Sequence, residues 1–531
     1  MPDLPLLLQW VTETLDVEVR HWPLPGQAGL AAYRVDLSRL RMKLSEAAPC
    51  IEVSREVAAM HSPVQLKRLL MDAIYAQGWH RRNVLVLMPG EADDLKLLCK
   101  NETLPPLVLD EAAQTHITSG GPNTNQLVNE ISKQTSIAAL SPYEISSPVT
   151  GEQFFGRERE LREIQQNAST NFLVVGNRRM GKTSLVREAR RRAKRELPDG
   201  DETHLYFDCS VFRNKQEFYA EIIRGLDGPR EIERLYNDHT FSIHSFIQRM
   251  SRAKKTKVVL YLDEIDFLLD WDAADNWQVL STLRAMTAMD QGHSTHHQHH
   301  AAHTKHDGAE REDRQPLRVI MAGFRRAQHW AEQKDAPLFN FASTIRVTNF
   351  DHRVTEQLVT EPMLTLGLSI TDRSALVNRI YKETGGQPNL VQHYCKFMLR
   401  QLEDSGAREV SQRNLDAVLG DDTIRRRTTD ELMANSTNFE QFVVLSFIDE
   451  IWSKKETDKF TLEKLDFWLY QHGIKLPRTD LEEALYALET SGLISRDGKS
   501  YGFAFGVLPR MISENWDVKY QLRKILEEGV V

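Results

Sequence analysis

An α/β fold built on a parallel sheet is the architecture that the 531-residue sequence predicts. Three short apolar runs have the length and composition of buried strands. They read "NFLVVG", "KVVLYLDEID" and "LRVIMAGFRR", and they end in a glycine-rich loop, in the carboxylates Asp263 and Glu264, and in the arginines Arg325 and Arg326. Each predicted strand therefore ends in groups that suit a ligand site.

The glycine-rich loop occupies positions 176–183 and reads GNRRMGKT, a complete match to GxxxxGK[ST]. Glycines let backbone N–H groups curl around phosphates, and the next helix directs its N-terminus at the same place. Lys182 is predicted to reach the β- and γ-phosphates, and the Thr183 hydroxyl to ligate Mg²⁺. We therefore predict a P-loop NTPase with ATP and Mg²⁺ as cofactors, the loop contacting the nucleotide through Gly176, Asn177, Arg178, Arg179, Met180, Gly181, Lys182, Thr183 and Ser184.

Arg178 and Arg179 occupy the variable positions of this loop. The loop backbone already cradles the phosphates, so we expect both side chains to point toward a neighbouring domain or subunit. They are candidates for reporting the nucleotide state rather than for chemistry.

The acidic end of the second run supplies the metal and base candidates. Asp263 is expected to hold Mg²⁺ through its water shell, and Glu264 to orient and polarise the attacking water. A plain strand ending in an acidic turn would show the same letters. The complete phosphate loop upstream favours the catalytic interpretation.

Three arginines are candidates for sensing the γ-phosphate. Arg325 and Arg326 follow the third run, and Arg346 lies in "FASTIRVTNF". An arginine at a strand end can stabilise transition-state charge, but solvated surface charge would read the same, and the sequence leaves both interpretations open. The predicted catalytic residues are Glu264, Lys182 and Arg325. ATP is favoured over GTP because the nearest string to the guanine-reading NKxD, "NKQE" at 214–217, lacks the aspartate and precedes the acidic strand.

Two flanking motifs carry a resemblance. The box "FFGREREL" (154–161) and the segment "ETGGQPNLVQHYC" (383–395), together with the loop, resemble archaeal-type and STAND ATPases and Orc/Cdc6-like AAA+ proteins over about 150–435. The resemblance implies that Phe155, Gly156 and Arg157 flank the base pocket, and that Pro388 and His393 belong to a helical lid over the nucleotide. The third strand departs from the AAA+ pattern, because "VIMAGF" ends without a polar residue and arginines follow; this resembles STAND proteins more.

Composition divides the chain into five predicted parts. They are an α/β domain without a catalytic motif (1–115), a linker with one short helix (116–150), the ATPase core (151–350) with a disordered histidine-rich insertion (292–315), the helical lid (351–435) and a winged-helix domain (436–531). Three helical patterns followed by a hairpin turning at Asp497-Gly498 predict the winged helix. Its third helix is acidic, and residues 437–531 carry 12 basic against 16 acidic residues. DNA is therefore the disfavoured partner, and protein docking or autoinhibition is favoured.

Net charge, cysteine content and hydropathy limit the classes of protein to which this chain can belong. The net charge is −8, which disfavours a polyanion-binding protein, and the basic helix after the loop is interpreted as a solvated face with Glu188 and Arg192 paired rather than as a nucleic-acid patch. The four cysteines form no CxxC pair, which favours a reducing cytoplasm. No apolar run approaches the ~18–20 residues of a membrane helix, and no signal peptide is predicted.

Two functions fit these features. The first is a STAND-like regulatory ATPase that hydrolyses ATP slowly and works as a signalling switch, with prokaryotic defence as one setting that family analogy suggests. Residues 1–115 would be its effector or adaptor, and it would bind a protein partner or self-associate. The alternative is an Orc/Cdc6-like DNA-binding ATPase in replication or mobile-element maintenance. A remodelling ATPase ring is a third, weaker option.

Overall fold

The computed structural model describes residues 4–24, 29–40, 42–44, 48–100, 102, 104–196, 202–226, 228–254, 256–287, 316–433, 436–452, 459–471, 473–475 and 477–529. The histidine-rich segment 292–315 lies outside these described residues. Within them are two five-stranded sheets, one three-stranded sheet and one two-stranded sheet, with helices on their faces. The predicted α/β class is confirmed.

The amino-terminal part is a five-stranded mixed sheet with helices on both faces. Its elements are α1 (Leu6–Leu15), β1 (Val19–Trp22), β2 (Leu30–Val35), β3 (Ala48–Val53), α2 (Arg55–Met60), α3 (Pro63–Ala76), β4 (Leu85–Leu87), α4 (Asp93–Cys99), β5 (Leu107–Leu109) and α5 (Glu111–Ser119). Strands β3, β4 and β5 are parallel, whereas β1 and β2 add an antiparallel edge. Alternate residues of β4 enter different cores: Leu85 and Leu87 face one side of the sheet and Val86 faces the other.

Residues 116–150 differ from the predicted linker. Helix α5 crosses the predicted boundary at 115, and α6 (Asn125–Ser132) and α7 (Ile137–Leu140) follow it. The apolar side chains of α6 are buried in a core shared with the lid, and the Tyr143 hydroxyl donates to the carbonyl of Val359 at 2.8 Å. The polar composition of the segment hides the helical spacing of Leu127, Val128 and Ile131, which suffices to pack α6 onto a neighbour.

The central part is a parallel five-stranded sheet covered on both faces. Its elements are α8 (Glu158–Gln166), β6 (Phe172–Val175), α9 (Lys182–Glu196), β7 (Glu202–Asp208), α10 (Lys215–Gly225), α11 (Pro229–Asn237), α12 (Ile243–Lys254), β8 (Lys257–Asp263), α13 (Ile265–Ala274), α14 (Gln278–Thr287), β9 (Leu317–Gly323), α15 (Arg325–Glu332) and β10 (Ser343–Arg346). The strand order is β10-β6-β9-β8-β7, and all neighbours are parallel. Strands buried on both faces explain why their sequences are continuous apolar runs.

The lid and the carboxy-terminal unit complete the chain. The segment predicted to be the lid, and called the lid below, contains α16 (His352–Thr365), β11 (Ser369–Ile370), α17 (Arg373–Thr384), α18 (Pro388–Ser405), β12 (Glu409–Val410), α19 (Gln412–Gly420) and α20 (Asp422–Met433). The carboxy-terminal unit, defined here as residues 436–529, contains α21 (Asn438–Phe447), β13 (Lys459–Thr461), α22 (Leu462–Gln471), α23 (Arg478–Thr490), β14 (Ile494–Asp497), β15 (Ser500–Phe503), α24 (Val507–Asn515) and α25 (Val518–Glu528). Three helices and a hairpin occur here in the predicted order; β13 joins the hairpin in the order β13-β15-β14, and α24 and α25 were not anticipated. None of the described helices combines the length and apolarity needed to cross a membrane.

Candidate functional site

The predicted site residues sit at one edge of the central sheet. The loop at 176–181 joins β6 to α9, and β9 lies between β6 and β8 in the sheet. Because these strands are parallel, their carboxyl ends meet at the same edge. The loop, the acidic pair and the arginines that follow β9 therefore share one neighbourhood.

A cavity of about 370 Å³ lies against this edge. It brings together residues predicted from four separate motifs: Phe155, Arg157, Arg178, Arg179, Met180, Gly181, Lys182, Thr183, Ser184, Glu264 and Pro388. The phosphate loop, the box before it and the start of lid helix α18 thus surround a single space. Its volume falls within the range of small-molecule sites.

The loop conformation depends on Gly181 and Lys182. Gly181 has φ +87°, and a Cβ built there meets nothing within 4 Å, so this backbone faces open space. The ammonium of Lys182 donates to the carbonyls of Gly176 and Asn177, both at 3.0 Å. Burial lowers the pKa of Lys182, while the nearby carboxylates, Glu264 first, oppose the shift. A phosphate group at the loop would supply the negative charge that this buried ammonium favours.

The acidic pair divides between the cavity and the sheet interior. Glu264 lines the cavity with φ +52°, a left-handed conformation that a non-glycine residue adopts at some cost. Burial raises the pKa of its carboxyl, and Lys182 partly offsets that rise. Asp263 is 3% exposed and does not line the cavity. One of its carboxylate oxygens accepts from the Tyr206 hydroxyl at 2.7 Å, and the other accepts from the Glu264 N–H at 3.1 Å.

A divalent cation fits this arrangement only together with phosphate. Among the described residues, no group of three or more His, Cys, Asp or Glu side chains is placed to hold a metal ion. Mg²⁺, however, is commonly held by one or two oxygen ligands of the protein plus substrate phosphates and water. The Thr183 hydroxyl at the cavity and the fixed carboxylate of Asp263 are oxygen donors of that kind.

The box before α8 ties the loop to the lid. The Arg157 guanidinium is buried, donates to the Met180 carbonyl at 3.3 Å and to the carbonyl of Thr348, and lies 4.6 Å from the centre of the Phe350 ring. Gly156 has φ +71°, and a Cβ there would approach Val354 to 2.1 Å. Gly156 therefore permits close packing against α16 and does not itself line the cavity.

Other predicted residues are not brought to the cavity. Gly176, Asn177, Asp263, His393 and the three arginine candidates are absent from its lining. Arg325, predicted to be catalytic, pairs with Glu440 of the carboxy-terminal unit at 2.7 Å. Arg346 contacts Tyr486 of the same unit, and Arg326 pairs with Asp270. The prediction that Arg325 lies at the nucleotide site is therefore corrected. The ends of β9 and β10 face the carboxy-terminal unit, and contacts between distant parts of a chain cannot be read from its sequence.

The two loop arginines differ from expectation in part. Both line the cavity, whereas the loop pattern predicts side chains that point away from the phosphates, toward a neighbouring domain or subunit. Arg179, with φ +61°, donates to the carbonyl of Ile145 at 3.0 Å and approaches the side-chain oxygen of Asn389 at 3.5 Å. Arg179 therefore connects the phosphate loop with the lid.

The segment 144–149 lines the cavity, although its composition predicts a linker. The Ile145 carbonyl accepts from Asn389 at 3.0 Å, and the Val149 N–H donates to the Ser184 hydroxyl at 3.0 Å. Other lining residues not predicted are Gln153, Phe154, Phe350, Leu358, Asn389 and Gln392. Gln153 and Phe154 lie beside or inside the box at 154–161, and Asn389 and Gln392 lie inside the segment at 383–395, whereas Phe350 and Leu358 belong to no motif.

A GxxxxGK[ST] loop between a parallel strand and a helix, with an acidic strand end on the same cavity, defines a P-loop nucleotide-binding fold. Residues 166–323 match the family model of the AAA domain. This segment is therefore an AAA-type P-loop ATPase domain, a class that binds nucleotide. The match covers the core of the chain.

The chain is similar to several solved structures. A Walker-type ATPase of Pyrococcus abyssi is 15% identical, over 70% of this chain and 99% of its own, with a TM-score of 0.46. The ORC2 protein of Aeropyrum pernix, with ADPNP and ADP, is 13% identical over 73% of this chain and 97% of its own, with a TM-score of 0.48. Cdc6p of Pyrobaculum aerophilum is 13% identical over 73% and 98%, with a TM-score of 0.34. Likeness of this degree carries no functional argument. No curated protein matches the chain.

Proposed function

We propose that this protein is a STAND-like regulatory ATPase in which the nucleotide controls the docking of the carboxy-terminal unit. One contact carries the proposal: the side-chain amide of Asn177, inside the phosphate loop, donates to the backbone carbonyl of Ser491 at the end of α23. The phosphates of a bound nucleotide would rest on the same loop. The bound nucleotide and the docked carboxy-terminal unit would therefore contact the same phosphate loop, so that each could affect the other.

Two further contacts support the same interface. Arg325 after β9 pairs with Glu440 of α21, and Arg346 at the end of β10 contacts Tyr486 of α23. Arg325 follows β9 and Arg346 is the last residue of β10, and both strands end at the edge of the sheet that carries the loop, where a γ-phosphate sensor is expected. In this arrangement both arginines contact the carboxy-terminal unit. The proposed switch is an exchange of their partners, from side chains of that unit to the γ-phosphate.

The residue roles in the ATPase are part of the proposal. Lys182 would bind the β- and γ-phosphates, Thr183 and Asp263 would hold Mg²⁺, and Glu264 would orient the attacking water. Phe155, Arg157 and Pro388 would border the base. Hydrolysis would be slow and would reset the switch.

The carboxy-terminal unit is proposed to be a winged helix used for docking. Its third helix, α23, is the one that would read DNA in such a domain. That helix carries Asp480, Glu482, Glu483 and Glu489, and Tyr486 on it contacts the ATPase core. An acidic, already engaged helix disfavours the Orc/Cdc6-like alternative.

The remaining parts are assigned by position and chemistry. The amino-terminal α/β part would be the effector or adaptor, with a protein or a second copy of the chain as partner. A prokaryotic defence setting rests on family analogy alone. A reducing cytoplasm is the proposed location, because Cys50, Cys99, Cys209 and Cys395 are all free and buried.

Hydrogen exchange tests the switch. The Glu264→Gln variant should retain ATP, so exchange in α23 and around Ser491 can be compared without nucleotide, with ADP and with ATP. We expect faster exchange there with ATP than with ADP. Identical exchange in all three states, with ATP binding demonstrated, would remove the switch.

DNA binding separates the alternative function. A duplex titration at increasing salt should show no binding even at low salt. Binding that weakens steeply with salt would instead establish the DNA-handling function, since phosphate contacts release counterions.

A further inference from the structure

Tyr206 links the edge of the central sheet to the proposed metal carboxylate. It lies on the edge strand β7, and its hydroxyl donates to one carboxylate oxygen of Asp263 on β8 at 2.7 Å. The Nε of Arg187, on α9, donates to the same hydroxyl at 3.1 Å, and its guanidinium lies 4.9 Å from the centre of the Tyr206 ring. Three residues from three elements thus form one continuous chain of hydrogen bonds.

The chemistry of these groups sets the direction of that chain. A guanidinium can only donate and an ionised carboxylate can only accept, whereas a phenol hydroxyl can do both. With Arg187 donating to the Tyr206 oxygen, the hydroxyl proton points at Asp263. Neighbouring hydrogen bonds of this kind polarise one another, so Arg187 strengthens the bond that Tyr206 makes.

Asp263 depends on such support because it is buried. In the part of the chain that the structure describes, its donors are the Tyr206 hydroxyl and the N–H of Glu264, one on each carboxylate oxygen. A buried carboxylate is costly unless it is hydrogen-bonded. These two bonds also fix the plane of the carboxylate and hence the directions left for a cation.

We propose that Tyr206, oriented by Arg187, is a positioning residue that holds the Asp263 carboxylate for the Mg²⁺ of the bound nucleotide. The inference rests on the proposed function, because it needs a nucleotide at the phosphate loop. Outer hydrogen-bond partners of metal ligands commonly change metal affinity by ~10–100-fold. Arg187 belongs to the helix that begins at Lys182, so the phosphate loop and the metal carboxylate share one support.

The chain offers a matched control for a purely structural role. Tyr261 on β8 is the register partner of Tyr206, and its hydroxyl lies 3.3 Å from His204 rather than near Asp263. Tyr261→Phe removes a hydroxyl from the same sheet, at a more buried position. It should alter packing at least as much as Tyr206→Phe does.

The experiment measures binding of a non-hydrolysable ATP analogue by calorimetry, first in EDTA and then at increasing Mg²⁺. For Tyr206→Phe we expect affinity in EDTA to stay at the wild-type value. The Mg²⁺ concentration that gives half of the affinity gain should rise ~10-fold or more. Tyr261→Phe should change neither quantity. Arg187→Met changes an exposed residue and keeps the Tyr206 hydroxyl, so it should raise the Mg²⁺ requirement by a smaller factor. The double variant of Arg187→Met and Tyr206→Phe should show the same Mg²⁺ requirement as Tyr206→Phe alone.

The outcomes separate the inference from the proposed function. Wild-type Mg²⁺ dependence in Tyr206→Phe overturns the inference alone, and so does an equal shift in Tyr261→Phe. Should Tyr206→Phe fail to fold, Arg187→Met decides, since an unchanged Mg²⁺ requirement there overturns the inference as well. A wild-type protein that binds no nucleotide overturns the proposed function together with the inference.

Discussion

Arg325 at the start of α15 and Glu440 on α21 form an ion pair of 2.7 Å that joins the ATPase sheet to the carboxy-terminal unit. Their side chains are 24% and 5% exposed. The Nε and Nη2 atoms of Arg325 are buried and have no hydrogen-bond partner within the described residues. A guanidinium with unused donors is suited to exchange one anionic partner for another.

Glu440→Gln should loosen this docking. Glu440 also closes the capping box of α21 with Thr437, and glutamine can serve at that position, so the change removes the charge and keeps the cap. Losing one charge-assisted hydrogen bond costs ~1.5–3 kcal/mol. We expect faster hydrogen exchange in α21 and α23 and faster ATP turnover.

Glu514→Gln is the control for that variant. Glu514 pairs with Arg425, a residue of the lid. Its substitution by glutamine removes the same charge from the same unit. It should leave ATP turnover unchanged. Unaltered exchange and turnover in Glu440→Gln would show that the ion pair does not restrain the unit.

Lys182→Ala should abolish ATP binding. The buried ammonium lies against the Gly176 and Asn177 carbonyls at the cavity wall. Its loss should lower the affinity for ATP by at least ~10–100-fold, which corresponds to the free energy of one hydrogen bond to a charged group. Fluorescent-nucleotide titration measures this, with Lys194→Ala, on an exposed turn of the same helix, as the control. Equal affinity in both variants would refute the phosphate-loop assignment.

Glu264→Gln should retain ATP and slow its hydrolysis. Glutamine keeps the shape of the side chain and cannot accept a proton from water, so turnover should fall by ~100-fold or more. Phosphate release under saturating ATP and Mg²⁺ reports the rate. Asp270→Asn, a change on α13 outside the cavity, should turn over normally. If Glu264→Gln does so too, another group activates the water.

His204 should make the central sheet less stable in acid. Burial, followed by the positive charges of Lys194, Arg190 and Arg318, lowers the pKa of His204 from 6.5 to about 4. The unfolded chain therefore binds more protons than the folded chain below pH 6.5, and stability is lost as the pH falls toward 4. Full loss corresponds to roughly 3 kcal/mol at most.

Thermal midpoints between pH 7 and 4 test this expectation. Glu202 lies 3.5 Å from the ring and favours the protonated form, but burial and three cations outweigh one carboxylate. In His204→Gln the midpoint should fall less steeply with acid than in wild type. Parallel curves for the two proteins would exclude His204 as a source of the acid sensitivity.

The phosphate loop, the acidic strand and the α/β class could be read from the letters alone. Each depends on contiguous residues: a buried parallel strand needs an apolar run, and a phosphate cradle needs glycines and a lysine at set spacing. Such local constraints survive in any tertiary context.

Tertiary structure decided where the charged side chains go. Arg325 and Arg346 read equally as sensors or surface charge until the fold placed Glu440 and Tyr486 against them. The burial of 116–150 and the chain from Arg187 through Tyr206 to Asp263 likewise join residues far apart in sequence. A side chain's partner depends on packing between elements, which no local spacing encodes. Local chemistry therefore marked the nucleotide site, and only the packed molecule showed that its edge holds the carboxy-terminal unit.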